Sequence, residues 1–149
     1  MHWVFRKATS NDKNTIEALF VEMLQSIYQR ESVAGYEDGY LDKFFSEAED
    51  WICVAEMNRE VIAYLSIEVH REAEEYLYLD DFCVSQAYRS QGIGTKLIKM
   101  AESFAEKTGI SKIVLHVEKT NISAQKLYER LGFTMVADEG NRNKLVKQI

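Results

Sequence analysis

The stretch from Arg89 to Gly94, RSQGIG, places an arginine and two glycines between an extended segment and a helical one. Glycine lacks a Cβ and adopts positive φ readily, so Gly92 and Gly94 allow successive backbone N–H groups to converge on an anion. The helix that follows adds the positive end of its dipole, and Arg89 can add charge-assisted hydrogen bonds. The loop therefore indicates a site for phosphate oxygens, although an ordinary tight turn is the alternative that the loop alone leaves open.

The spacing of this loop differs from two familiar nucleotide-binding motifs. A P-loop requires Gly-Lys-Ser/Thr at its end, whereas Thr95 and Lys96 follow Gly94 here after too short a loop. A dinucleotide-binding fold requires a third glycine where Leu97 stands. The sequence therefore indicates a different class of phosphate-bearing ligand.

Two carboxylates on the strand before this loop are candidates for acid–base chemistry. Asp80 and Asp81 are adjacent, and neighbouring side chains on a regular strand face opposite sides of the sheet, so we expect one of them to point into a cleft. A solvated pair at a strand end is an equally good interpretation. His116, within VLHVE, is a rival base that ranks lower, because a lone histidine on a strand is more often structural.

The composition is that of a globular protein. The chain has 149 residues, 46% of them hydrophobic and 28% charged, and a net charge of −6. We expect residues 1–149 to form a single domain. The acidic balance argues against nucleic acid or an anionic membrane as the main partner, and it is compatible with a cationic substrate.

Cysteine and histidine positions and the first residues give further expectations. Cys53 and Cys83 stand alone in strand-like runs, which favours free thiols in a reducing compartment. The histidines are scattered and neither cysteine has a partner at ligand spacing, so we expect no metal site. No signal-peptide pattern and no apolar run near the ~18 residues of a membrane span are present, so we expect a cytoplasmic protein without a membrane partner.

Hydrophobic periodicity predicts an α/β fold with the element order β-α-α-β-β-β-α-β-α-β-β. The mixed order implies a sheet with helices on its faces. The expected elements, in chain order, are a strand at 2–8, a helix from Thr9, a shorter helix to about Glu49, two strands around a turn at Met57–Arg59, a strand at Glu74–Val84, a helix at Gly92–Thr108, the strand KIVLHVE, a helix at Asn121–Leu131, and the strands GFTMVAD and NKLVKQI.

Two of these segments together resemble the GNAT superfamily of acetyl-CoA-dependent N-acetyltransferases. The segment from Arg89 to Gly94 is similar to the pyrophosphate signature of that superfamily, and NISAQKLYERLGF, Asn121 to Phe133, is similar to its second motif. The motif match begins near Tyr76, and the order of elements agrees over the whole chain. The resemblance implies a mixed, mostly antiparallel sheet in which a splayed pair of parallel strands forms the acyl-CoA cleft.

The resemblance also implies roles for individual residues. Acetyl-CoA is the expected cosubstrate, with its pantetheine arm paired to strand backbone and its diphosphate over the glycine loop. Tyr128 matches the tyrosine proposed to protonate the departing thiolate, although its position in an apolar helix stripe also suits a core residue. The residues expected at the cofactor are Phe82, Cys83, Val84, Arg89, Ser90, Gln91, Gly92, Ile93, Gly94, Thr95 and Asn121.

The acceptor side locally resembles the spermidine/spermine (diamine) acetyltransferase branch. The run YLYLDDFCV carries an acidic pair as that branch does, which puts Asp80 in the catalytic position and Asp81 against the substrate. This chain has Asp80 where that branch has the longer Glu, which favours proton transfer through a bridging water over direct abstraction. Tyr36 and Glu37 fall in the segment that shapes the acceptor pocket in this superfamily, where they would add an acidic, aromatic wall.

These implications favour one function and leave two alternatives open. The favoured function is direct acetyl transfer to a primary amine of a small cationic acceptor, polyamine-like or aminoglycoside-like. The first alternative is a protein or peptide amine, at an N-terminus or a lysine. The second is a non-catalytic acyl-CoA-binding module. Many members of the superfamily are dimers, so the resemblance is compatible with a homodimer.

Overall fold

A computed structural model describes residues 2–149 of the chain. The strands of this part form one sheet in the order β1-β2-β3-β4-β5-β7-β6, and each neighbouring pair is antiparallel except the parallel pair β4–β5. The predicted fold class is therefore confirmed. The elements are β1 (Trp3–Lys7), α1 (Lys13–Tyr28), β2 (Trp51–Met57), β3 (Glu60–His70), β4 (Tyr76–Val84), α2 (Ile93–Thr108), β5 (Lys112–Glu118), α3 (Ile122–Arg130), β6 (Thr134–Asp138) and β7 (Arg142–Gln148).

The segment between α1 and β2 differs from the prediction, which placed a short α-helix there. It contains a 3₁₀ turn at Tyr40–Phe45, which follows Gly39 in the left-handed conformation (φ 79°). Within this turn Leu41 and Phe44 are buried. Because residues three apart eclipse one another in a 3₁₀ helix, this spacing buries both side chains without an α-helical face.

Helices cover both faces of the sheet. We call the face that carries α2 and α3 the α2 face, and the face that carries α1 and the 3₁₀ turn the α1 face. The buried side chains of the α2 face include Leu65, Leu79, Leu97 and Tyr128. Those of the α1 face include Ile16, Leu19, Phe44, Tyr64 and Cys83. None of the helices in residues 2–149 is long and apolar enough to cross a membrane.

The parallel strands β4 and β5 separate along their length. Pairing joins them at three positions only, Leu77–Leu79 against Ile113–Leu115. Beyond these pairs β4 continues to Val84 along β3, and β5 continues to Glu118 along β7. A slot therefore opens through the sheet between β4 and β5, which agrees with the splayed pair that the sequence implied.

β4 carries a β-bulge at the acidic pair. Two of its residues, Asp80 and Asp81, lie opposite the single residue Ser66 of β3. The extra residue reverses the side-chain alternation, because Leu79 before the bulge and Phe82 after it both pack on the α2 face. Both aspartates therefore lie on the α1 face. The prediction that they face opposite sides of the sheet is wrong.

The hydroxyl of Ser66 fills the bulge. It accepts a hydrogen bond from the backbone N–H of Asp81 (2.9 Å), and Ser66 is 1% exposed. A bulge takes such an N–H out of the regular ladder, and a buried donor without a partner is costly. Ser66 therefore stabilises the backbone geometry that puts both carboxylates on one face.

Replacing Ser66 with alanine should lower the free energy of unfolding by about 1–3 kcal/mol, because the Asp81 N–H would remain buried without an acceptor. Urea denaturation measures the change. Ile67→Val is the matched control: Ile67 is fully buried next to Ser66 on the same strand, and the loss of one methyl group should cost about 0.5–1.5 kcal/mol. A Ser66→Ala variant as stable as the wild type would show that the hydroxyl does not hold the bulge.

Candidate active site

The slot between β4 and β5 opens where two helices begin. β4 leads through residues 85–92 into α2, and β5 leads through residues 119–121 into α3. Because the two strands are parallel, both helix N-termini lie at the same end of the slot. Phe82, Cys83 and Val84 pair with β3 on one edge and lie beyond the last β4–β5 pair on the other. Their second edge can accept an added extended chain.

The side chains of these strand residues have structural roles. The Phe82 ring packs against α2, and the Cys83 thiol is buried on the α1 face. Burial raises the pKa of the Cys83 thiol to about 12, so it stays neutral at physiological pH. These residues, which the sequence assigned to the cofactor, therefore offer backbone groups rather than reactive side chains to the slot.

The glycine loop adopts the backbone conformation that anion sites use. Ser90 (φ 63°) and Gly92 (φ 78°) are both left-handed, while Arg89 before them is extended (φ −69°, ψ 157°). Alternation of this kind turns backbone N–H groups toward one side, where they form an anion-binding concavity. A Cβ added to Gly92 would meet nothing within 4 Å, so this residue borders open space. The left-handed Ser90 has no signal in the sequence.

Gly94 is required for a different reason. It lies in the first turn of α2, and a Cβ there would come within 2.7 Å of Phe82 Cζ and 3.1 Å of Leu127 Cδ2. The absence of a side chain therefore lets α2 approach β4 and α3 closely. Gly92 shapes the loop, whereas Gly94 sets the distance between the elements around it.

The rest of the loop is anchored to the end of β4. The Nε atom of Arg89 donates to the carbonyl oxygen of Val84 (3.2 Å), and the Ile93 side chain is buried in the core. Gln91 is exposed and Thr95 is half-buried. Backbone N–H groups at the start of α2 and these polar side chains are the groups available to an anion.

Asn121, at the other side of the slot, is the N-cap of α3. Its Oδ1 atom accepts a hydrogen bond from the backbone N–H of Ala124 (3.2 Å). The cap uses the carbonyl half of the amide and leaves the NH₂ group as a donor. The structure thus explains the residue type at this position by a local cap, with a donor left for a ligand.

The acidic pair contacts two tyrosines of the segment between α1 and β2. The hydroxyl of Tyr36 donates to Asp81 Oδ2 (2.6 Å), and the hydroxyl of Tyr40 donates to Asp80 Oδ2 (2.8 Å). The two phenol rings are stacked, with centroids 4.8 Å apart and planes 9° apart. Tyr36 and Asp81 are therefore brought together as the sequence suggested. Glu37 is exposed, and its backbone carbonyl accepts from the Tyr40 N–H.

Asp81 is the more buried carboxyl of the pair. Burial raises its pKa to about 6; the hydrogen bond from Tyr36 opposes this change, and the nearby negative charge of Asp80 adds to it. Burial and the charge of Asp81 also raise the pKa of Tyr36, which keeps the phenol protonated as a donor. A cation placed beside the two carboxylates would reduce their repulsion.

His116 belongs to a chain of three side chains that sequence reasoning did not assemble. Its Nδ1 atom lies 2.7 Å from the Tyr78 hydroxyl, and its Nε2 atom lies 2.9 Å from Glu139 Oε1. Tyr78 shares the α1 face with Asp80 because the two are two residues apart on β4. The two-residue spacing of Tyr78 and Asp80 could have been read from the sequence. The contact between Glu139 and His116 could not, because it depends on the β6–β7 turn.

Tyr128 lies on the α2 face, opposite the acidic pair. Its ring packs edge-to-face against Phe133, with centroids 5.8 Å apart, and the residue is 8% exposed. Burial raises the pKa of Tyr128 to about 12. The slot passes through the sheet between these two faces, so groups on both faces border it. The Tyr128 hydroxyl and the carboxyl groups of the acidic pair therefore lie on opposite faces of the sheet.

Residues 20–133, well over half of the chain, match the Acetyltransferase (GNAT) family. The protein named Probable N-acetyltransferase camello of Xenopus laevis is 33% identical over 107 residues, which cover 70% of this chain and 46% of that protein. The human protein N-alpha-acetyltransferase 30 is 39% identical over 67 residues, which cover 45% of this chain and 18% of that protein. The chain thus spans less than half the length of these curated relatives.

Solved structures share the fold over the whole chain. The PaiA N-acetyltransferase of Thermoplasma acidophilum in complex with coenzyme A has a TM-score of 0.82 at 18% identity, and the match covers 100% of both chains. Arabidopsis thaliana Naa50 in complex with the bisubstrate analogue CoA-Ac-MVNAL has a TM-score of 0.78 at 17% identity, again over 100% of both. With the family match over residues 20–133, these findings place the protein: the chain belongs to the acetyltransferase (GNAT) family.

Proposed function

We propose that this chain transfers the acetyl group of acetyl-CoA directly to a primary amine, and that the acceptor is a small cation. Family membership and the resemblance of the motifs support acetyl-CoA as the cosubstrate. The observation that carries the acceptor side is the bulge, which places Asp80 and Asp81 side by side on one face next to the slot.

The diphosphate of the cosubstrate is proposed to lie over the glycine loop. Arg89 and Gln91 supply polar side chains there, and the left-handed Ser90 and Gly92 orient backbone N–H groups at the start of α2. The diphosphate is negatively charged, so the positive end of the helix dipole favours that placement. The N–H groups of Ile93, Gly94 and Thr95 continue the same helix N-terminus.

The pantetheine arm is proposed to enter the slot as an added strand. It contains amides, and the edge of β4 at Phe82, Cys83 and Val84 lies beyond the last pair with β5. A backbone N–H on this edge can also stabilise the oxyanion that forms when the amine attacks the thioester carbonyl. The NH₂ group of Asn121 would steady the arm from the α3 side.

The acceptor is proposed to bind as an ammonium on the α1 face. Asp80 and Asp81 supply negative charge, and Tyr36 and Tyr40 supply stacked rings beside it. Two carboxylates close together repel each other, and an ammonium would relieve that repulsion. Asp80, alone or through a water, and His116 are the two proton acceptors that the sequence suggested. Both lie on this face.

The chemistry needs a proton donor on the other side of the thioester. The pKa of Tyr128, raised to about 12 by burial, keeps its phenol protonated at neutral pH. Its O–H can therefore donate to the CoA sulfur as negative charge develops there. The Tyr128 side chain also packs in the core, and the two roles are compatible.

A peptide N-terminus is a second candidate acceptor. The match to N-alpha-acetyltransferase 30 favours it. An N-terminal ammonium would meet the same two carboxylates. The two candidates differ in what surrounds the amine rather than in the chemistry at the nitrogen.

Release of free CoA from acetyl-CoA tests the proposal. The acceptors are spermidine, an aminoglycoside, a peptide with a free N-terminus, and a peptide with a blocked N-terminus and one lysine. Preferred turnover of the polyamine or the aminoglycoside would support the small cationic acceptor. Preferred turnover of a peptide would replace it with the second candidate. Binding of acetyl-CoA without turnover of any acceptor would leave a non-catalytic binding module.

A change of charge at Gly92 tests the diphosphate site. Gly92→Asp should weaken acetyl-CoA binding at least about tenfold relative to Gly92→Asn, because a carboxylate near a diphosphate costs about 1 kcal/mol or more per charge pair. Asp and Asn have nearly the same shape and both tolerate the left-handed conformation. Isothermal titration of acetyl-CoA against both variants gives the ratio of dissociation constants. Equal affinities would move the diphosphate away from this loop.

Replacing Asp81 with asparagine should stabilise the protein at neutral pH and lower its activity. Burial raises the pKa of Asp81 from 3.8 to about 6, so between these values the folded chain holds a proton that the unfolded chain has released. By linkage, the contribution of this carboxyl to stability is greatest below about pH 4 and is lost as the pH rises through about 6, by up to about 3 kcal/mol. Asparagine avoids that loss.

Urea denaturation of Asp81→Asn at pH 7.5 and at pH 4 separates this effect from packing. The stabilisation should be present at pH 7.5 and absent at pH 4, where the wild-type carboxyl is protonated. Asp38→Asn is the control, because Asp38 is an exposed aspartate in the segment between α1 and β2, so the same change of charge should leave the stability nearly unchanged at both pH values. The same stability difference at both pH values would contradict the assignment of the shift to Asp81.

A further inference from the structure

The three side chains Tyr78, His116 and Glu139 form a hydrogen-bonded chain that ends on the acceptor face. The distances are 2.7 Å from the Tyr78 hydroxyl to His116 Nδ1 and 2.9 Å from His116 Nε2 to Glu139 Oε1. The His116 side chain is 16% exposed. Both ring nitrogens therefore have protein partners and little access to water.

The hydrogen bond between Tyr78 and His116 lies at the point where β4 and β5 separate. Tyr78 is the middle of the three paired positions on β4, and His116 directly follows the last paired residue of β5, Leu115. Tyr78 and Asp80 share the α1 face and are two residues apart, which is roughly 7 Å along a strand. The Tyr78 hydroxyl thus belongs to the same wall as the acidic pair.

The two partners of His116 differ in their hydrogen-bonding capacity. An ionised carboxylate can only accept, so in the neutral ring Nε2 is protonated and donates to Glu139. Nδ1 is then an acceptor, and the Tyr78 O–H donates to it. The lone pairs of the Tyr78 oxygen remain available to a third group.

Charged side chains of β7 and of the β6–β7 turn surround His116. Lys144 lies directly opposite His116 on β7, and the Arg142 guanidinium lies 3.8 Å from Glu139. Glu139 is the carboxylate that contacts the ring directly. The backbone N–H of Glu139 donates to the Arg142 carbonyl oxygen (2.9 Å), and this hydrogen bond holds Glu139 within the β6–β7 turn.

We propose that Glu139 is a positioning residue that fixes the Nε2–H tautomer of His116, and that Tyr78 consequently takes the proton from the acceptor ammonium. This inference rests on the proposed function. The ammonium proton moves to the Tyr78 oxygen, and the phenol proton moves to His116 Nδ1, which yields an imidazolium paired with Glu139. The neutral amine attacks the thioester carbonyl carbon, and the C–S electron pair leaves with sulfur. The adduct nitrogen loses a proton and sulfur gains one. The imidazolium then returns its Nδ1 proton through the Tyr78 hydroxyl to solvent in the slot, which restores the Nε2–H tautomer.

Nitrogen-15 NMR of the full chain with labelled histidine tests the positioning role without an assay. The chain has three histidines, and His116→Gln identifies the signal by its loss. We expect the wild type to show Nε2 protonated and Nδ1 unprotonated. In Glu139→Gln the amide NH₂ can donate to Nε2 and stabilise the opposite tautomer, and Glu139→Ala should show a mixture.

Kinetics of the same variants test the proton transfer. Glu139→Gln should lower kcat about 10- to 100-fold and leave the KM for acetyl-CoA and the melting temperature unchanged, because the wrong tautomer removes a proton acceptor but no packing. Asp138→Asn is the matched control in the same turn. It loses the same charge, but Asp138 pairs with Lys119 (2.7 Å) instead of His116, so neither kcat nor the tautomer should change.

Each outcome decides one part of the proposal. If Glu139→Gln keeps the Nε2–H tautomer, Glu139 does not position His116. If the tautomer reverses while kcat stays within about twofold, Tyr78 does not take the proton. A wild-type chain that acetylates no amine removes the proton-transfer role together with the proposed function, whereas the NMR measurement still decides the positioning role.

Discussion

The three residue pairs that join β4 to β5 are the constraint on which the candidate site depends. Parallel strands that stayed paired to their ends would close the sheet, and the backbone at Phe82–Val84 would be used by β5. Because pairing stops at Leu79 and Leu115, both strands keep one partner each and turn an edge toward the slot. The helices that follow them place two N-termini at the same opening.

The β-bulge decides which groups meet at that opening. One extra residue in β4 moves Asp81 to the face of Asp80 and returns Phe82 to the α2 face, where its ring fills the space left by Gly94. Two carboxylates on one partly buried face repel each other, and the raised pKa of Asp81 records part of that cost. Hydrogen bonds from Tyr36 and Tyr40 offset part of this cost.

The sequence predicted regular elements well where a local pattern repeats. The α2 prediction of Gly92–Thr108 agrees with Ile93–Thr108 between left-handed glycines at Gly92 and Gly109, since a helix of this amphipathic kind carries its own start and stop signals. The turn at Met57–Arg59 is likewise observed, with Asn58 and Arg59 both left-handed. The short helix before β2 was wrong, because the burial of Leu41 and Phe44 three residues apart also satisfies a 3₁₀ turn.

By itself the sequence determined the family, the order of the strands and the glycine loop, because these depend on residues close together in the chain. The tertiary structure alone decided the side-chain directions at the acidic pair and the partners of His116. Ser66, fifteen residues before Asp81, accepts the backbone N–H that the bulge takes out of the ladder. Glu139 reaches His116 only after β7 pairs with both β5 and β6. Contacts between residues far apart in the chain leave no periodic signal, so the fold must bring them together before their chemistry can be recognised.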